Sequence, residues 1–232
     1  MFKNIIICNF ILCLTWFTTL SVAQTYVNMI PYKSPSCTGE QTGIGYSWIV
    51  DTCIGFRDNN FYFDIRSDGN VTMSEYSRSV DCGSNNPNTQ KTFYVDYCYA
   101  TDYAGTEQYP QNNYVKIQVV NNPPPPPQYG LKYSVFEPTD NECSGNVQMY
   151  YYYVNNTVWQ DQFDHYQFFC SATDNLPYET VCAVSDNDDD NKNENDDDDE
   201  VNDSSSCFTS TWWSACGISF YLDYKSYTMT SC

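Results

Sequence analysis

The sequence predicts an all-β protein made of two small disulfide-stabilised antiparallel β domains, each a sandwich or a barrel. Aromatic and β-branched residues recur in short alternating runs, no stretch has convincing helical periodicity, and twelve cysteines are spread over 232 residues. Short alternating runs separated by turns are typical of antiparallel sheets. Disulfides supplement the limited hydrophobic core of such small domains.

The first element is a secretory signal peptide over residues 1–23. Lys3 precedes a mostly apolar segment from Ile5 to Leu20, and Ser21-Val22-Ala23 places small residues where signal peptidase reads. The apolar segment is short for a bilayer span, which needs roughly 20 residues. We therefore expect cleavage after Ala23, a secreted, extracellular protein, and no membrane span after cleavage.

The first β domain is predicted over residues 24–121. Asn60–Arg66 and Val71–Tyr76 are alternating runs joined by Ser67-Asp68-Gly69-Asn70, and Asp-Gly between such runs is a strong hairpin signal. Further strand-like runs are Tyr46–Val50, Thr92–Tyr97 and Tyr114–Val120. The domain is therefore an antiparallel β domain.

A polyproline linker over residues 122–128 follows, because five consecutive prolines form an extended, semi-rigid spacer. It precedes a second β domain over residues 129–232. We expect the spacer to hold the two domains apart by about 15 Å. The second domain carries an insertion, residues 185–203, with eleven acidic residues and one lysine. Such a tract is predicted to be disordered, because like charges repel and it has little apolar surface to bury.

The charge excludes several classes of partner. Cleavage leaves nine basic and twenty-nine acidic residues, a net charge of −20, so nucleic acid and anionic membranes would repel the protein.

No metal-binding motif is recognisable in the sequence. Among the cysteines no Cys-x-x-Cys occurs, and the acidic tract lacks the glycine and the glutamate that an EF-hand loop requires. We therefore predict no metal site and no cofactor.

Ten cysteines remain after cleavage and are predicted to form five disulfides, since an oxidising compartment drives pairing. We expect each bridge to stay within its half of the chain. Two equal intervals, each closed by a Val-Asp-x-Cys frame, favour the pairs Cys37–Cys53 and Cys82–Cys98, although such a repeat can equally exchange partners. The second half echoes the first less cleanly, and there Cys182 and Cys207 flank the acidic insertion. The ten residues are Cys37, Cys53, Cys82, Cys98, Cys143, Cys170, Cys182, Cys207, Cys216 and Cys232.

This frame of aromatic residue, polar turn, Cys-Ser/Thr-Gly, aromatic-rich strand and second cysteine resembles the small secreted cysteine-rich, tyrosine-rich repeat proteins of social amoebae. The frame stands in Cys37-Thr38-Gly39 and Cys143-Ser144-Gly145. The resemblance implies an extracellular, disulfide-bonded domain and assigns no catalytic residue. Trp159, sixteen positions after Cys143, departs from the frame because the first half has a cysteine at that spacing.

Catalytic chemistry is not indicated. The only histidine, His165, stands without a recognisable nucleophile and is interpreted as a strand residue. Asp51 and Asp96 each precede a cysteine by two positions, which indicates a turn or strand-end role. We therefore predict a protein that is not an enzyme. The alternative is a secreted two-carboxylate hydrolase of the glycosidase type.

Tyrosine is conspicuous, with 22 in the chain and four in succession at Tyr150–Tyr153. These residues are good strand formers, but exposed rings, with Trp159, Trp212 and Trp213, would instead make a carbohydrate-binding or protein-binding platform. Three sequons predict N-glycosylation at Asn70, Asn155 and Asn202. The sequence thus predicts a secreted, non-catalytic glycoprotein with an extracellular binding or structural role, whose partner, a glycan or a protein, it does not identify.

Overall fold

A computed structural model describes residues 24–56, 58–77, 82–83, 86–101, 114–123, 125–128, 130–160, 163–183, 206–212, 214–218 and 226–232. The predicted signal peptide, the acidic insertion at 185–203, Asn202 and Trp213 lie outside these residues.

Sixteen β-strands lie in the described residues, eight in each half of the chain, and every pairing given for them is antiparallel. The all-β prediction is confirmed. The first half contains β1 (Thr25–Tyr32), β2 (Ile44–Ile49), β3 (Cys53–Phe56), β4 (Asn59–Ile65), β5 (Val71–Ser77), β6 (Thr89–Phe93), β7 (Cys98–Ala100) and β8 (Tyr114–Asn121). The second half contains β9 (Leu131–Phe136), β10 (Val147–Tyr153), β11 (Thr157–Gln160), β12 (Asp164–Cys170), β13 (Pro177–Ala183), β14 (Cys207–Thr211), β15 (Gly217–Ile218) and β16 (Tyr227–Ser231).

The strands form one eight-stranded sheet and two four-stranded sheets. The large sheet has the order β15-β16-β9-β10-β2-β1-β8-β7, and the smaller sheets have the orders β3-β4-β5-β6 and β11-β12-β13-β14. Each half therefore contributes four strands to the large sheet and builds one small sheet of its own. In the large sheet, β7, β8, β1 and β2 of the first half follow the same order as β15, β16, β9 and β10 of the second half, counted from opposite edges. The two halves therefore share one topology, and they meet at β2 and β10.

The register at this junction is symmetric. Ser47 on β2 pairs with Tyr150 on β10, and the same two residues pair with Asn28 on β1 and Ser134 on β9. The Ser47–Tyr150 pair therefore lies at the centre of a local pseudo-two-fold relation between the halves. We call the β2–β10 junction the seam.

The seam corrects the expectation that prolines hold the halves apart. Edge strands present unpaired backbone N–H and C=O groups. Here β2 and β10 pair with each other over five residue pairs, so these groups form hydrogen bonds between the two halves. A hydrogen-bonded strand pair therefore joins the two halves directly. The division into domains at 24–121 and 129–232 stays a prediction.

The predicted hairpin is confirmed. The β4–β5 turn has Gly69 in the left-handed region at φ 82°, and the N–H of Arg66 donates to the carbonyl of Asn70 at 2.8 Å. Glycine adopts this conformation without a steric cost, which is why the Asp-Gly pair locates the turn.

The small sheets cover one face of the large sheet, which gives a sandwich arrangement in each half. In the first half the indole of Trp48 stacks on Phe63 with ring centroids 5.2 Å apart and meets Phe56 edge-on. In the second half Tyr153 stacks on Phe168 at 4.0 Å. Full burial of one such side chain contributes about 1.5–3 kcal/mol, so these aromatic clusters are principal stabilising elements.

The ten cysteines among the described residues are all paired, and each bridge lies within its own half. The pairs are Cys37–Cys98, Cys53–Cys82, Cys143–Cys216, Cys170–Cys232 and Cys182–Cys207.

The favoured pairs Cys37–Cys53 and Cys82–Cys98 are wrong. Cys37 precedes β2 and Cys53 follows it, and that strand alone is about 20 Å long, with six residues at roughly 3.4 Å per residue. Bridged Cα atoms lie within about 7 Å. Strand β6 separates Cys82 from Cys98 in the same way, and the two intervals therefore exchange partners.

Candidate functional site

The two Val-Asp-x-Cys frames form the turns at which the chain passes between sheets. Asp51 links β2 to β3 and Asp96 links β6 to β7, and both adopt the left-handed conformation, at φ 57° and 62°. The Asp51 N–H donates to the Phe63 carbonyl, and the Asp96 N–H donates to the Ile117 carbonyl at 2.7 Å. The interpretation of both aspartates as turn residues agrees with this geometry.

The second of these turns presents an exposed aromatic surface. We call it the tyrosine turn and define it as Tyr94, Asp96, Tyr97 and Tyr99. The side chains of Tyr94 and Tyr97 are 60% and 62% exposed, and their ring centroids are 6.1 Å apart. The ring of Tyr97 lies 5.9 Å from that of Tyr99, which is anchored edge-on against buried Phe93. The rings thus form one connected surface.

Backbone hydrogen bonds fix this surface in place. The N–H of Tyr94 donates to the hydroxyl of Tyr99 at 2.7 Å, and the N–H of Ile117 on β8 donates to the carbonyl of Tyr97 at 3.1 Å. Cys98, the next residue, is bridged to Cys37. The turn is therefore held on both sides, so a ligand would not have to pay for ordering it.

Polar groups flank the rings. The carboxylate of Asp96 contacts Lys116 Nζ at 3.4 Å and accepts a hydrogen bond from Gln118 Nε2 at 3.3 Å. An aromatic surface with a neighbouring carboxylate, ammonium and amide can stack against an apolar ligand face while it exchanges hydrogen bonds with that ligand's hydroxyl groups.

The aromatic residues singled out from the sequence have other roles. Tyr150 and Tyr152 are buried, and Tyr151 and Tyr153 pack against the core from the other face of β10. Trp159 stacks on Tyr166 at 4.4 Å. The four tyrosines therefore serve packing, as their strand propensity suggests.

Trp212 is partly buried and packs against the core of the second half. Its ring meets Phe168 edge-on, and its Nε1–H donates to Glu179 Oε2 at 3.1 Å. Burial raises the pKa of Glu179 above its ordinary value, and the hydrogen bond from Trp212 opposes that rise. The amino-acid composition shows that the chain is rich in aromatic residues. No local sequence pattern distinguishes the exposed Tyr94 and Tyr97 from the tyrosines that pack in the interior.

The seam contains buried polar side chains on the sheet face opposite the core. Ser47 Oγ donates to Asn28 Oδ1 at 2.6 Å, and both residues are almost fully buried. Tyr150 lies beside them at 2% exposure, and burial raises the pKa of its hydroxyl to about 12. Burial also lowers the pKa of Lys132, whose ammonium lies 5.7 Å from the Tyr150 ring centroid.

A polar cleft opens at one end of the seam. Its volume is about 300 Å³, and both halves line it. The first half contributes Lys33, Glu40, Gln41 and Thr42, and the second contributes Val154, Asn155, Asn156 and Thr157. We call it the seam cleft. It is at the lower end of the size range of small-molecule sites.

The remaining predicted site residues are dispersed. His165 is exposed on β12 and Asn70 is half-buried at the β4–β5 turn. Within the described ranges, no group of three or more His, Cys, Asp and Glu side chains is placed to hold a metal ion. In the same part of the chain, no helix has the length and hydrophobicity needed to span a bilayer.

Together these features define a disulfide-bonded all-β protein of two matching halves, with an aromatic surface turn and a polar cleft at the junction. The chain belongs to the counting factor-associated protein A/B/C family, whose model matches residues 1–216. It is similar to an uncharacterised protein of Dictyostelium discoideum, at 28% identity over 178 residues. This match covers 68% of the chain and 55% of the relative, so the chain spans about half the length of that protein. The resemblance to social-amoeba proteins is confirmed, and no solved structure matches the chain.

Proposed function

We propose that this protein is secreted and acts as a non-catalytic extracellular binding module, with the tyrosine turn as its carbohydrate-binding surface. The observation that carries the proposal is the exposure of Tyr94 and Tyr97 on a turn held by backbone hydrogen bonds. Exposing large aromatic rings to water is unfavourable, and burying them against a ligand regains that free energy. A rigid pair of exposed rings is therefore characteristic of a recognition surface.

Carbohydrate is the ligand class that fits this chemistry. A sugar ring has an apolar C–H face that stacks on aromatic rings and hydroxyl groups at its rim. Tyr94 and Tyr97 supply the rings, and Asp96, Lys116 and Gln118 supply acceptors and donors beside them. The net charge of −19, or −20 after the proposed removal of residues 1–23 with Lys3, favours a neutral or basic glycan over an acidic one.

Five disulfides support the extracellular location, because such bonds persist in oxidising compartments. Residues 1–23 supply the proposed route, and sequencing the N-terminus of protein collected from culture medium should give Gln24 as the first residue. Retention of the chain inside the cell would contradict this route.

Binding is tested on a glycan array followed by calorimetry with the glycan that binds. Tyr94→Ala and Tyr97→Ala should each weaken binding about tenfold, because a stacked ring contributes about 0.5–1.5 kcal/mol beyond its buried area. Phe208→Ala is the matched control, since Phe208 is 69% exposed on β14 and lies outside the turn. Absence of glycan binding, or equal affinity of the wild type and a Tyr94→Ala/Tyr97→Ala variant, would refute the proposal.

A further inference from the structure

The turn between β10 and β11 carries a sequon and is fastened to the opposite half of the molecule. Gly43, just before β2, accepts hydrogen bonds at its carbonyl from the Val154 N–H at 2.9 Å and from Thr157 Oγ1 at 3.2 Å. The Thr157 N–H closes the turn on the Val154 carbonyl. Asn155 therefore has its position fixed by contacts that cross the seam.

Asn155 borders the seam cleft, and one atom of its amide is unsatisfied. Oδ1 of Asn155 is buried and has no hydrogen-bond partner. A buried carbonyl oxygen without a partner is destabilising, because it has lost its hydrogen bonds to water and gained none in the protein. The cleft beside it is lined by polar side chains from the first half, including Lys33, Glu40 and Gln41. A polar group seated there would find donors and acceptors on both sides of the seam.

We propose that Asn155 is N-glycosylated and that its first sugar, an N-acetylhexosamine, lies in the seam cleft and fastens the two halves together. The proposal rests on the secretory route in the proposed function. The first sugar is covalently attached to the residue that borders the cleft, so no separate binding step is required. Its hydroxyl and N-acetyl groups match the amide, carboxylate and ammonium groups that line the first-half wall.

The modification is a transfer from a lipid diphosphate-linked oligosaccharide. A bond forms between Nδ2 of Asn155 and C1 of the sugar, the bond from C1 to the diphosphate oxygen breaks, and the amide loses a proton while the lipid diphosphate leaves. Thr157, the hydroxyl residue of the sequon, is 4% exposed, and its one hydroxyl proton is shared between the carbonyls of Gly43 and Val154. The transfer must therefore precede the docking of this turn on Gly43.

Asn70 provides the internal comparison. Its sequon lies on the β4–β5 turn, which belongs to the first half alone and does not line the seam cleft. A glycan at Asn70 therefore extends from a hairpin of the first half and does not join the two halves. The two positions thus separate the general effect of a glycan on the protein from the effect of a sugar at the seam.

The test uses the full chain produced in a eukaryotic secretion host. Glycopeptide mass spectrometry should find Asn155 occupied, and Asn155→Gln should lower the melting temperature by about 3 °C, while Asn70→Gln leaves it unchanged. A loss of about 1 kcal/mol gives a shift of this size in a protein of 150–250 residues. Trimming with an endoglycosidase that leaves only the first sugar should preserve the wild-type melting temperature.

One control isolates the sugar. Asn155→Gln should leave the melting temperature unchanged when the host is treated to block N-glycosylation, because neither protein then carries a sugar. Occupancy of Asn70 with Asn155 free, or an Asn155→Gln variant as stable as the wild type, would overturn the inference. Secretion without any glycan would overturn it too and leave the tyrosine-turn proposal standing, whereas retention in the cell would count against the secretory route itself.

Discussion

Gly45 on β2 provides a direct probe of the seam, because it lies opposite Tyr152 on β10. A Cβ atom at position 45 would stand 2.3 Å from Cζ of Tyr152 and 2.5 Å from its hydroxyl oxygen. Non-bonded carbon and oxygen atoms do not approach a Cβ atom this closely, so either the Tyr152 ring or one of the two strands must shift. Tyr152 has little freedom, since it is 5% exposed and its hydroxyl donates to Gln41.

We predict that Gly45→Ala lowers the free energy of unfolding by about 1–2 kcal/mol. Overpacking costs about 1–3 kcal/mol, and the reduced freedom of the unfolded chain returns about 0.4–1 kcal/mol when the backbone is compatible with alanine. The melting temperature should fall by about 2–8 °C, at 2–4 °C per kcal/mol. Guanidinium denaturation with intact disulfides, followed by tryptophan fluorescence, measures the change.

A double-mutant cycle identifies the cause. In a Tyr152→Ala background the obstructing ring is absent, so adding Gly45→Ala should be neutral or stabilising. In a Tyr152→Phe background the ring remains, and the full penalty should persist. An equal penalty in all three backgrounds would show that Tyr152 does not lie over Gly45 and would refute the register of β2 with β10.

Two further predictions concern one buried and one half-buried ionisable group. Tyr150 has a pKa raised from 10.0 to about 12, so its contribution to the free energy of unfolding is complete below pH 10 and declines as pH rises through 12. Guanidinium titrations at pH 9 to 12 should show the wild type losing about 2 kcal/mol more than Tyr150→Phe, and parallel curves would contradict the burial. Glu179 has a pKa raised above 4.5, so the fold favours its protonated form and stability is lost as pH rises through the folded pKa. Glu179→Gln keeps an acceptor for Trp212 and should remove that loss; an unchanged stability profile from pH 4 to pH 7 would contradict the assignment.

Local features of the fold were predictable from the sequence because local chemistry determines them. Asp68-Gly69 specifies a hairpin, since glycine adopts the left-handed turn conformation without strain. Asp51 and Asp96 were identified as turn residues for a related reason, because Asp tolerates that conformation. The confinement of bridges to each half followed from the even numbers of cysteines on either side of the prolines.

Long-range features were not predictable from the same signals. The pairing of Cys37 with Cys98 depends on which strand ends meet, and equal sequence intervals carry no such information. The meeting of β2 and β10 depends on the positions of two edges in three dimensions. Tyr94 and Tyr97 share the composition of the packing tyrosines, and their exposure arises from the turn that links β6 to β7.

The central structural claim is that the halves form one body through the seam, and cleavage of the proline segment tests it most directly. A protease site introduced within residues 122–128 would allow the chain to be cut after folding. Because every disulfide lies within one half, only non-covalent contacts would then connect the fragments. Light scattering coupled to size-exclusion chromatography, without reductant, should show both fragments in a single species with the mass of the uncut protein. Separate elution of two fragments of about half that mass would contradict the pairing of β2 with β10.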